Sequence, residues 1–162
     1  MEFKQRKRTR LPEYDYSTPG AYFVTICTQD KKHYFGEITG FTMHLSAIGQ
    51  IVINEVETAS KYNPNVEIIN YVVMPNHVHL MIRISDDCDD MLKMDRDISE
   101  VVRKIKACVT RYSKRYGLLS KDSKLWQTSY HDHIVRGRED YQNIWEYIDT
   151  NVQRWEKDRY YE

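Results

Sequence analysis

The feature that most constrains the fold of this chain is a pair of apolar, β-branched runs joined by a proline turn. Val66 to Val73 and His77 to Ile84 both have the composition of buried strands, and Met74-Pro75-Asn76 between them favours a hairpin. The second run carries His77 and His79. Because residues two apart on a strand point to the same side, both imidazoles are expected on one face, where they could bind one metal ion.

The spacing of these two histidines is a weak indication of a metal site when it stands alone. Strand histidines are more often exposed to solvent or hydrogen-bonded to neighbours than bound to metal. Burial of two polar rings among Val, Leu, Met and Ile nevertheless costs free energy unless a ligand or a partner satisfies them. A metal site therefore needs support from other residues.

The rest of the chain predicts alternating strands and helices. Period-two alternation of apolar residues predicts strands, and apolar residues at helical spacing predict helices. The predicted elements are a strand at Ala21–Thr28, a short hairpin at Gly36–Met43, a helix at Ser46–Lys61, strands at Val66–Val73 and His77–Ile84, a helix at Ile98–Tyr116, a strand at Tyr130–Arg136 and a helix from Glu139 to about Val152. This order predicts an α+β fold, a ferredoxin-like (split βαβ) antiparallel sheet with an additional C-terminal helix.

Strand periodicity assigns the two faces of this sheet. One face is expected to lie under the crossover helices and to present the apolar set Tyr22, Val24, Ile26, Val78, Leu80 and Ile82. The histidines then lie on the opposite face, beside Phe23, Thr25 and Cys27. That face would otherwise be open, so the last helix is its natural cover.

The last helix presents an apolar stripe and a polar flank. Tyr141, Ile144 and Ile148 make the stripe that is expected to face the sheet. Tyr147 and Asn151 are four residues apart and share the flank, where a phenol and an amide would meet the histidines. Taken singly, Tyr147 is an ordinary tyrosine of a tyrosine-rich chain and Asn151 an ordinary helix-end amide. Their spacing together with the histidine pair favours a site.

Length, charge and cysteine usage set the broad class. The 162 residues fit a single domain, and equal numbers of basic and acidic residues, 24 of each, argue neither for nor against a nucleic-acid partner. Three widely spaced cysteines without a C-x-x-C pattern fit a reducing compartment. No apolar run is long enough for a membrane span or a signal peptide. We therefore expect one globular, cytoplasmic domain spanning residues 1–162.

Basic residues are concentrated in two segments that could contact phosphates. The N-terminal arm, residues 1–13, contains Lys4, Arg6, Lys7, Arg8 and Arg10, and the second predicted helix carries Arg103, Lys104, Lys106 and Arg111. A solvated outer face explains the helix equally well, whereas DNA binding is favoured for the arm. Tyr14, Tyr16 and Trp126 are expected to be exposed and to stack on unpaired bases.

Several blocks of the sequence resemble the REP-associated tyrosine transposases, which are single-tyrosine members of the HUH endonuclease superfamily. The most specific block is Met74-Pro-Asn-His-Val-His79. Supporting blocks are Tyr14-Asp-Tyr-Ser-Thr-Pro-Gly-Ala-Tyr-Phe-Val-Thr-Ile-Cys-Thr28, Leu125-Trp-Gln127, His131-Asp-His-Ile-Val-Arg136 and Tyr147-Ile-Asp-Thr-Asn151. The resemblance covers nearly the whole chain, with residues 14–152 as the catalytic core and residues 153–162 as a tail.

The resemblance implies cleavage and rejoining of single-stranded DNA that carries hairpin-forming repeats. It assigns Tyr147, on the additional C-terminal helix, as the nucleophile that forms a 5′-phosphotyrosine link. It assigns His77 and His79 as the pair that binds Mg²⁺ or Mn²⁺, with Asn151 at the position of the third protein ligand. The expected partner is single-stranded hairpin DNA, and the protein is expected to be a monomer or a homodimer without a membrane partner.

The chemistry is consistent with these residue types. A divalent cation on a non-bridging oxygen neutralises the charge that protects a phosphodiester from attack, and a tyrosine with an ordinary pKa of about 10 needs activation before it attacks.

Two other classes of protein stay open. One is a non-catalytic nucleic-acid-binding module on the same fold, and the other is a metal-dependent phosphodiesterase that forms no covalent intermediate and for which Tyr147 is dispensable.

Overall fold

A four-stranded antiparallel sheet organises the molecule. The structure is a computed structural model that describes residue 11, residues 13–86 and residues 97–162. Its elements are β1 (Gly20–Cys27), β2 (Gly36–Thr39), β3 (Thr42–Leu45), α1 (Ala47–Tyr62), β4 (Val66–Met74), β5 (His77–Ile84), α2 (Ile98–Arg115), β6 (His131–Ile134) and α3 (Gly137–Asp149). The sheet order is β4-β5-β1-β6, and β2 pairs only with β3 within the described residues. The ferredoxin-like α+β prediction is confirmed, with β1 and β5 in the centre.

The two crossover helices cover one face of the sheet. Ser46 caps α1, because its side chain accepts a hydrogen bond from the Gly49 amide at 3.0 Å, and Asp97 caps α2 by accepting from the Ser99 amide at 2.7 Å. The side chains predicted for this face, Tyr22, Val24, Ile26, Val78, Leu80 and Ile82, all lie in the main core and are at most 1% exposed. Their burial fixes the register, since a shift by one residue would reverse every side chain.

The opposite face carries the histidines and is covered by α3. In the β1–β5 pairing, Thr25 lies opposite His79 and Cys27 lies opposite His77. Met81, on the same face of β5, packs with Ile144 and Ile148 of α3 in a second apolar cluster. The predicted cover and its stripe are therefore confirmed.

The end of the last helix differs from the prediction. The helix ends at Asp149 with Thr150 as its C-cap, and Asn151 lies in the following turn. The Asn151 amide bonds to the Ile148 carbonyl, and the Trp155 amide bonds to the Val152 carbonyl, both at 3.3 Å. These three-residue spacings tighten the chain into turns and a single 3-10 turn at Trp155–Lys157. Side-chain spacing alone did not reveal this change of winding.

Candidate functional site

His77 and His79 form a buried pair at the centre of the sheet. His77 is 0% exposed and His79 is 1% exposed. Their ring centroids are 4.5 Å apart, and their Nε2 atoms face each other at 3.0 Å. The two nitrogens that a shared cation would use are therefore already turned towards one another.

Hydrogen bonds to the other ring nitrogens orient both imidazoles. Asn76 donates through Nδ2 to the Tyr160 carbonyl at 2.8 Å, so its Oδ1 accepts from His77 Nδ1 at 2.8 Å. His77 then carries its proton on Nδ1 and presents a lone pair at Nε2. His79 Nδ1 lies 2.7 Å from the Thr25 hydroxyl, which can act as donor or acceptor. When this hydroxyl acts as acceptor, His79 carries its proton on Nδ1 and presents a lone pair at Nε2. The Nε2 lone pairs of His77 and His79 are then both available without any movement of the rings.

Burial keeps the pair uncharged. Loss of solvent lowers the pKa of His77 to about 4, against weaker opposing effects of Asp158 and Asn151. Burial, followed by the neighbouring His77, also lowers the pKa of His79 well below its ordinary value. Neutral imidazole is the form that binds metal ions, so the site needs no deprotonation at neutral pH.

A third side chain that could hold a metal ion, Asp158, comes from the C-terminal segment. One carboxylate oxygen of Asp158 and one nitrogen from each histidine all lie within 4.8 Å of one another. Asp158 lies within residues 153–162, which were predicted to be a tail, and its position in the site was not predicted. The available signal was the pair of large aromatics that flank it, since Trp155 and Tyr160 are residue types that often pack against a core.

The C-terminal segment packs directly onto the histidines. Trp155 and Tyr160 are each 7% exposed and form a small apolar cluster with Cys27 and Met74. The Tyr160 ring lies 4.5 Å from the His77 ring, centroid to centroid. Together with the hydrogen bond from Asn76 to the Tyr160 carbonyl, these contacts fix the position of Asp158.

Tyr147 reaches the site from α3. Its ring is 5.2 Å from the His79 ring, and its hydroxyl donates to Asp158 Oδ2 at 3.2 Å. Burial, and then the negative charge of Asp158, raise the pKa of Tyr147 to about 12. The phenol is therefore protonated when the site is empty of cations and DNA.

Asn151 lies between Tyr147, Asp158 and His77 although it follows the helix. It is 1% exposed, and its Nδ2 donates to Asp158 Oδ2 at 3.0 Å. Its Oδ1 is buried and makes no hydrogen bond of normal geometry to any described residue. A buried amide oxygen without a partner is costly, and it is a suitable oxygen donor for a divalent cation. The structure thus brings together Tyr147, Asn151 and the two histidines, as their spacing predicted.

A cavity of about 610 Å³ opens beside these residues. Its lining includes Phe23, His79, Tyr147 and, at the solvent edge, the exposed guanidinium-bearing side chain of Arg159. Arg159 lies over the Tyr160 ring, with its Cζ 4.7 Å from the ring centroid. Tyr147 and the positively charged Arg159 therefore line the same cavity.

Residues 21–151 match the model of the family described as "Transposase IS200 like". This span contains the four-stranded sheet except Gly20, together with helices α1, α2 and α3. The chain belongs to the IS200-like transposase family. The resemblance to REP-associated tyrosine transposases is supported by the individual relatives as well.

Two curated relatives of this IS200-like family member come from Haemophilus influenzae. An uncharacterized protein is 34% identical over 170 aligned residues, which cover 96% of this chain and 93% of the relative. A second protein, whose name assigns it provisionally to the REP-associated tyrosine transposases, is 23% identical over 85% of this chain and 72% of its own length.

A solved structure of a REP-associated tyrosine transposase bound to a REP hairpin has the same fold. The TM-score is 0.64 at 22% identity, and the match covers 89% of this chain and 74% of that chain.

Within the described residues, no helix is both long and apolar enough to cross a bilayer.

The predicted DNA-contact residues on helix α2 of this family member lie away from the histidines. Helix α2 packs on the sheet face opposite to His77, so its basic residues and the buried pair are separated by the sheet. Arg103 and Arg111 are exposed, and Arg103 pairs with Glu100 at 2.7 Å. Lys104 donates to Asn63 at 3.4 Å, and Lys106 donates to the Gln127 carbonyl at 2.7 Å. Lys4, Arg6, Lys7, Arg8 and Arg10 lie outside the described residues.

The expectation that three aromatics are exposed was wrong for Tyr16 and Trp126. Tyr16 is 8% exposed and Trp126 is 5% exposed. Trp126 packs against Phe35 with ring centroids 5.1 Å apart, and its Nε1 donates to the Lys106 carbonyl at 3.1 Å. Tyr14 is half-buried and its hydroxyl lies 3.2 Å from that of Tyr22. These rings belong to the core because their polar atoms find partners there.

Proposed function

We propose that this protein cleaves and rejoins single-stranded DNA carrying hairpin-forming repeats, through a 5′-phosphotyrosine intermediate on Tyr147. The observation that carries the proposal is the convergence of the Tyr147 hydroxyl, the His77–His79 pair and Asn151 in one buried site beside an open cavity. Membership of the IS200-like transposase family supports it. The solved relative that is bound to a REP hairpin supports the choice of hairpin DNA as substrate.

His77, His79 and Asn151 would hold Mg²⁺ or Mn²⁺. The fit rests on two neutral imidazoles whose Nε2 atoms already face each other and on the buried, unpartnered Asn151 Oδ1. A bound divalent cation supplies charge neutralisation at a non-bridging oxygen of the scissile phosphate. The mixed nitrogen and oxygen set suits Mn²⁺ well and tolerates Mg²⁺.

Tyr147 would attack the phosphorus through its phenolic oxygen. The new bond joins Tyr147 Oη to phosphorus, the bond from phosphorus to the 3′ oxygen breaks, and the 3′ oxygen leaves as a hydroxyl after it gains a proton. In the metal-free site Asp158 Oδ2 holds the Tyr147 hydroxyl; once that bond is released, the phenolic proton would pass to water in the open cavity beside Tyr147. The phosphotyrosine bond retains the energy of the broken bond, and attack by a second 3′ hydroxyl completes strand transfer without ATP.

The basic residues would hold the DNA outside the chemical site. Arg159 at the cavity edge is placed to contact a phosphate near Tyr147, whereas Arg103, Lys104, Lys106 and Arg111 on α2 would contact the DNA at a distance from it. The N-terminal arm, with Lys4, Arg6, Lys7, Arg8 and Arg10, is proposed as a further contact. A cytoplasmic location and a monomeric or homodimeric state complete the proposal.

A denaturing-gel assay tests this function. Labelled single-stranded hairpins from the repeats of the host genome are incubated with Mn²⁺ or Mg²⁺ and with wild type, Tyr147→Phe, His77→Ala or the control Tyr141→Phe, a half-buried tyrosine of the same helix. We expect a metal-dependent covalent band for wild type and Tyr141→Phe and none for the other two. Cleavage that persists in Tyr147→Phe would refute the tyrosine nucleophile and favour a phosphodiesterase, and binding without cleavage would favour a recognition module.

A further inference from the structure

Asp158 is held in a defined orientation by three donors. Its Oδ1 accepts from the Tyr160 amide at 2.7 Å. Its Oδ2 accepts from Asn151 Nδ2 at 3.0 Å and from the Tyr147 hydroxyl at 3.2 Å. Trp155 and Tyr160 anchor the backbone on either side, and the three hydrogen bonds hold the carboxylate in its orientation.

The charge balance of the metal site in the absence of DNA favours an anionic ligand. Imidazole and amide ligands are neutral when they bind a metal, so a divalent cation held only by the two buried histidines and the Asn151 amide would remain uncompensated in a poorly solvated position. Hard cations such as Mg²⁺ and Mn²⁺ also prefer carboxylate oxygens. Among the described residues, Asp158 supplies a carboxylate oxygen that lies within 4.8 Å of a nitrogen of each histidine.

We propose that Asp158 is a protein ligand of the metal site and that its Oδ2 is shared, in alternation, between the metal and the Tyr147 hydroxyl. The inference rests on the proposed function only for the presence of a divalent cation at the histidine pair. It assigns a task to the C-terminal segment, which would complete the site and keep the Tyr147 hydroxyl engaged until a cation binds.

The alternation follows from the number of lone pairs on one oxygen. A carboxylate oxygen offers about two acceptor positions, and both positions of Oδ2 are used by Asn151 and Tyr147. A cation that binds through Oδ2 must displace one of these two donors. The Tyr147 bond is the longer of the two, and Tyr147 sits beside an open cavity, whereas Asn151 is buried. Cation binding would therefore free Tyr147, the residue proposed to attack the DNA.

Calorimetric titration with Mn²⁺ in the absence of DNA tests both parts. Asp158→Asn keeps the shape of the side chain and removes its charge, and we expect Mn²⁺ binding to weaken by about tenfold or more. Tyr147→Phe removes the competing donor, and we expect binding to tighten by roughly two- to tenfold. In the double variant the effect of Tyr147→Phe should disappear, because the shared oxygen ligand is gone. Glu156→Gln, an exposed acid two residues away, should match wild type.

Two results would overturn the inference. If Asp158→Asn binds Mn²⁺ as tightly as Glu156→Gln does, Asp158 is not a metal ligand. If Tyr147→Phe changes Mn²⁺ affinity by the same factor with and without the Asp158 carboxylate, the oxygen is not shared. Infrared difference spectra of wild type and Glu156→Gln give a second measurement that needs no Asp158 variant. We expect the same shift of a carboxylate stretching band on addition of Mn²⁺ in both, and its absence would contradict the proposal.

The outcome is separable from that of the proposed function. Metal affinity is measured without DNA, so a failure to form a covalent DNA adduct refutes the function while leaving the ligand role of Asp158 intact. Conversely, an adduct that needs Tyr147 and His77, together with unchanged Mn²⁺ affinity in Asp158→Asn, refutes this inference alone.

Discussion

Asn76 links the histidine pair to the C-terminal segment, and its replacement by alanine should damage both. Its Oδ1 accepts from His77 Nδ1 at 2.8 Å and its Nδ2 donates to the Tyr160 carbonyl at 2.8 Å. The backbone of the turn is held separately, because the Asn76 carbonyl accepts from the Thr28 amide at 2.9 Å. Asn76→Ala therefore removes the side-chain link and leaves the hairpin itself in place.

The magnitude follows from the two groups that lose their partners. Asn76 is 1% exposed, so the His77 Nδ1–H and the Tyr160 carbonyl would be left buried, and each unpaired group costs about 1–3 kcal/mol. The free energy of unfolding should fall by about 2–6 kcal/mol. Mn²⁺ affinity should fall by roughly 10- to 100-fold, because His77 loses the group that fixes its tautomer and orientation.

Urea unfolding in EDTA and calorimetric titration with Mn²⁺ measure the two effects. Asn70→Ala is the matched control. Asn70 lies on β4, on the face that α3 covers, and its Nδ2 donates to Asp149 at 3.0 Å in an exposed pair. That variant should lose less than about 1 kcal/mol and should bind Mn²⁺ as wild type does. Equal losses in Asn76→Ala and Asn70→Ala would refute the argument that Asn76 supports the site.

Three further predictions concern stability. Gly49→Ala should destabilise the protein by roughly 1–3 kcal/mol in thermal unfolding, because a Cβ at this position would lie 2.1 Å from the Phe35 carbonyl oxygen. An unchanged Tm would contradict the close packing of α1. Trp126→Ala should cost about 3–5 kcal/mol of unfolding free energy as a core residue, whereas a stable variant with weakened DNA binding would favour the exposed role expected from sequence. The metal-free protein should lose stability as the pH falls from 6.5 towards 4, by up to about 1.4 kcal/mol per pH unit from His77. The reason is that His77 binds a proton in the unfolded chain over this pH range and does not bind it in the folded chain. A His77→Gln variant with the same pH dependence of stability would contradict this.

The sheet and its faces could be predicted because strand periodicity is a local signal. Residues His77 to Ile84 alternate between a face buried under helices and a face that carries the histidines, and one register satisfies both. The meeting of Tyr147 with the histidines was likewise predictable, since the stripe of Ile144 and Ile148 fixes which flank of α3 approaches β5. These inferences need only spacing along one element and the order of the elements.

The contribution of Asp158 could not be predicted from spacing. It depends on a turn that brings the chain back across the sheet, and that turn is fixed by tertiary contacts of Trp155 and Tyr160 with Cys27 and Met74. The burial of Trp126 was missed for a related reason, because an aromatic ring serves a core or a binding surface equally well until its neighbours are known. Aromatic residues near the end of a chain are therefore better interpreted as anchors before they are assigned to a tail.

The central claim is that Tyr147 becomes covalently linked to DNA, and peptide mass spectrometry of the cleavage reaction tests it most directly. Trypsin releases residues 139–154 as one peptide that contains both Tyr141 and Tyr147, so fragmentation separates the proposed nucleophile from an internal control. We predict a nucleotide joined to Tyr147 through its 5′-phosphate, and its formation should require a divalent metal and His77. A nucleotide on Tyr141 or on another tyrosine, or cleaved DNA without any modified peptide, would contradict the account.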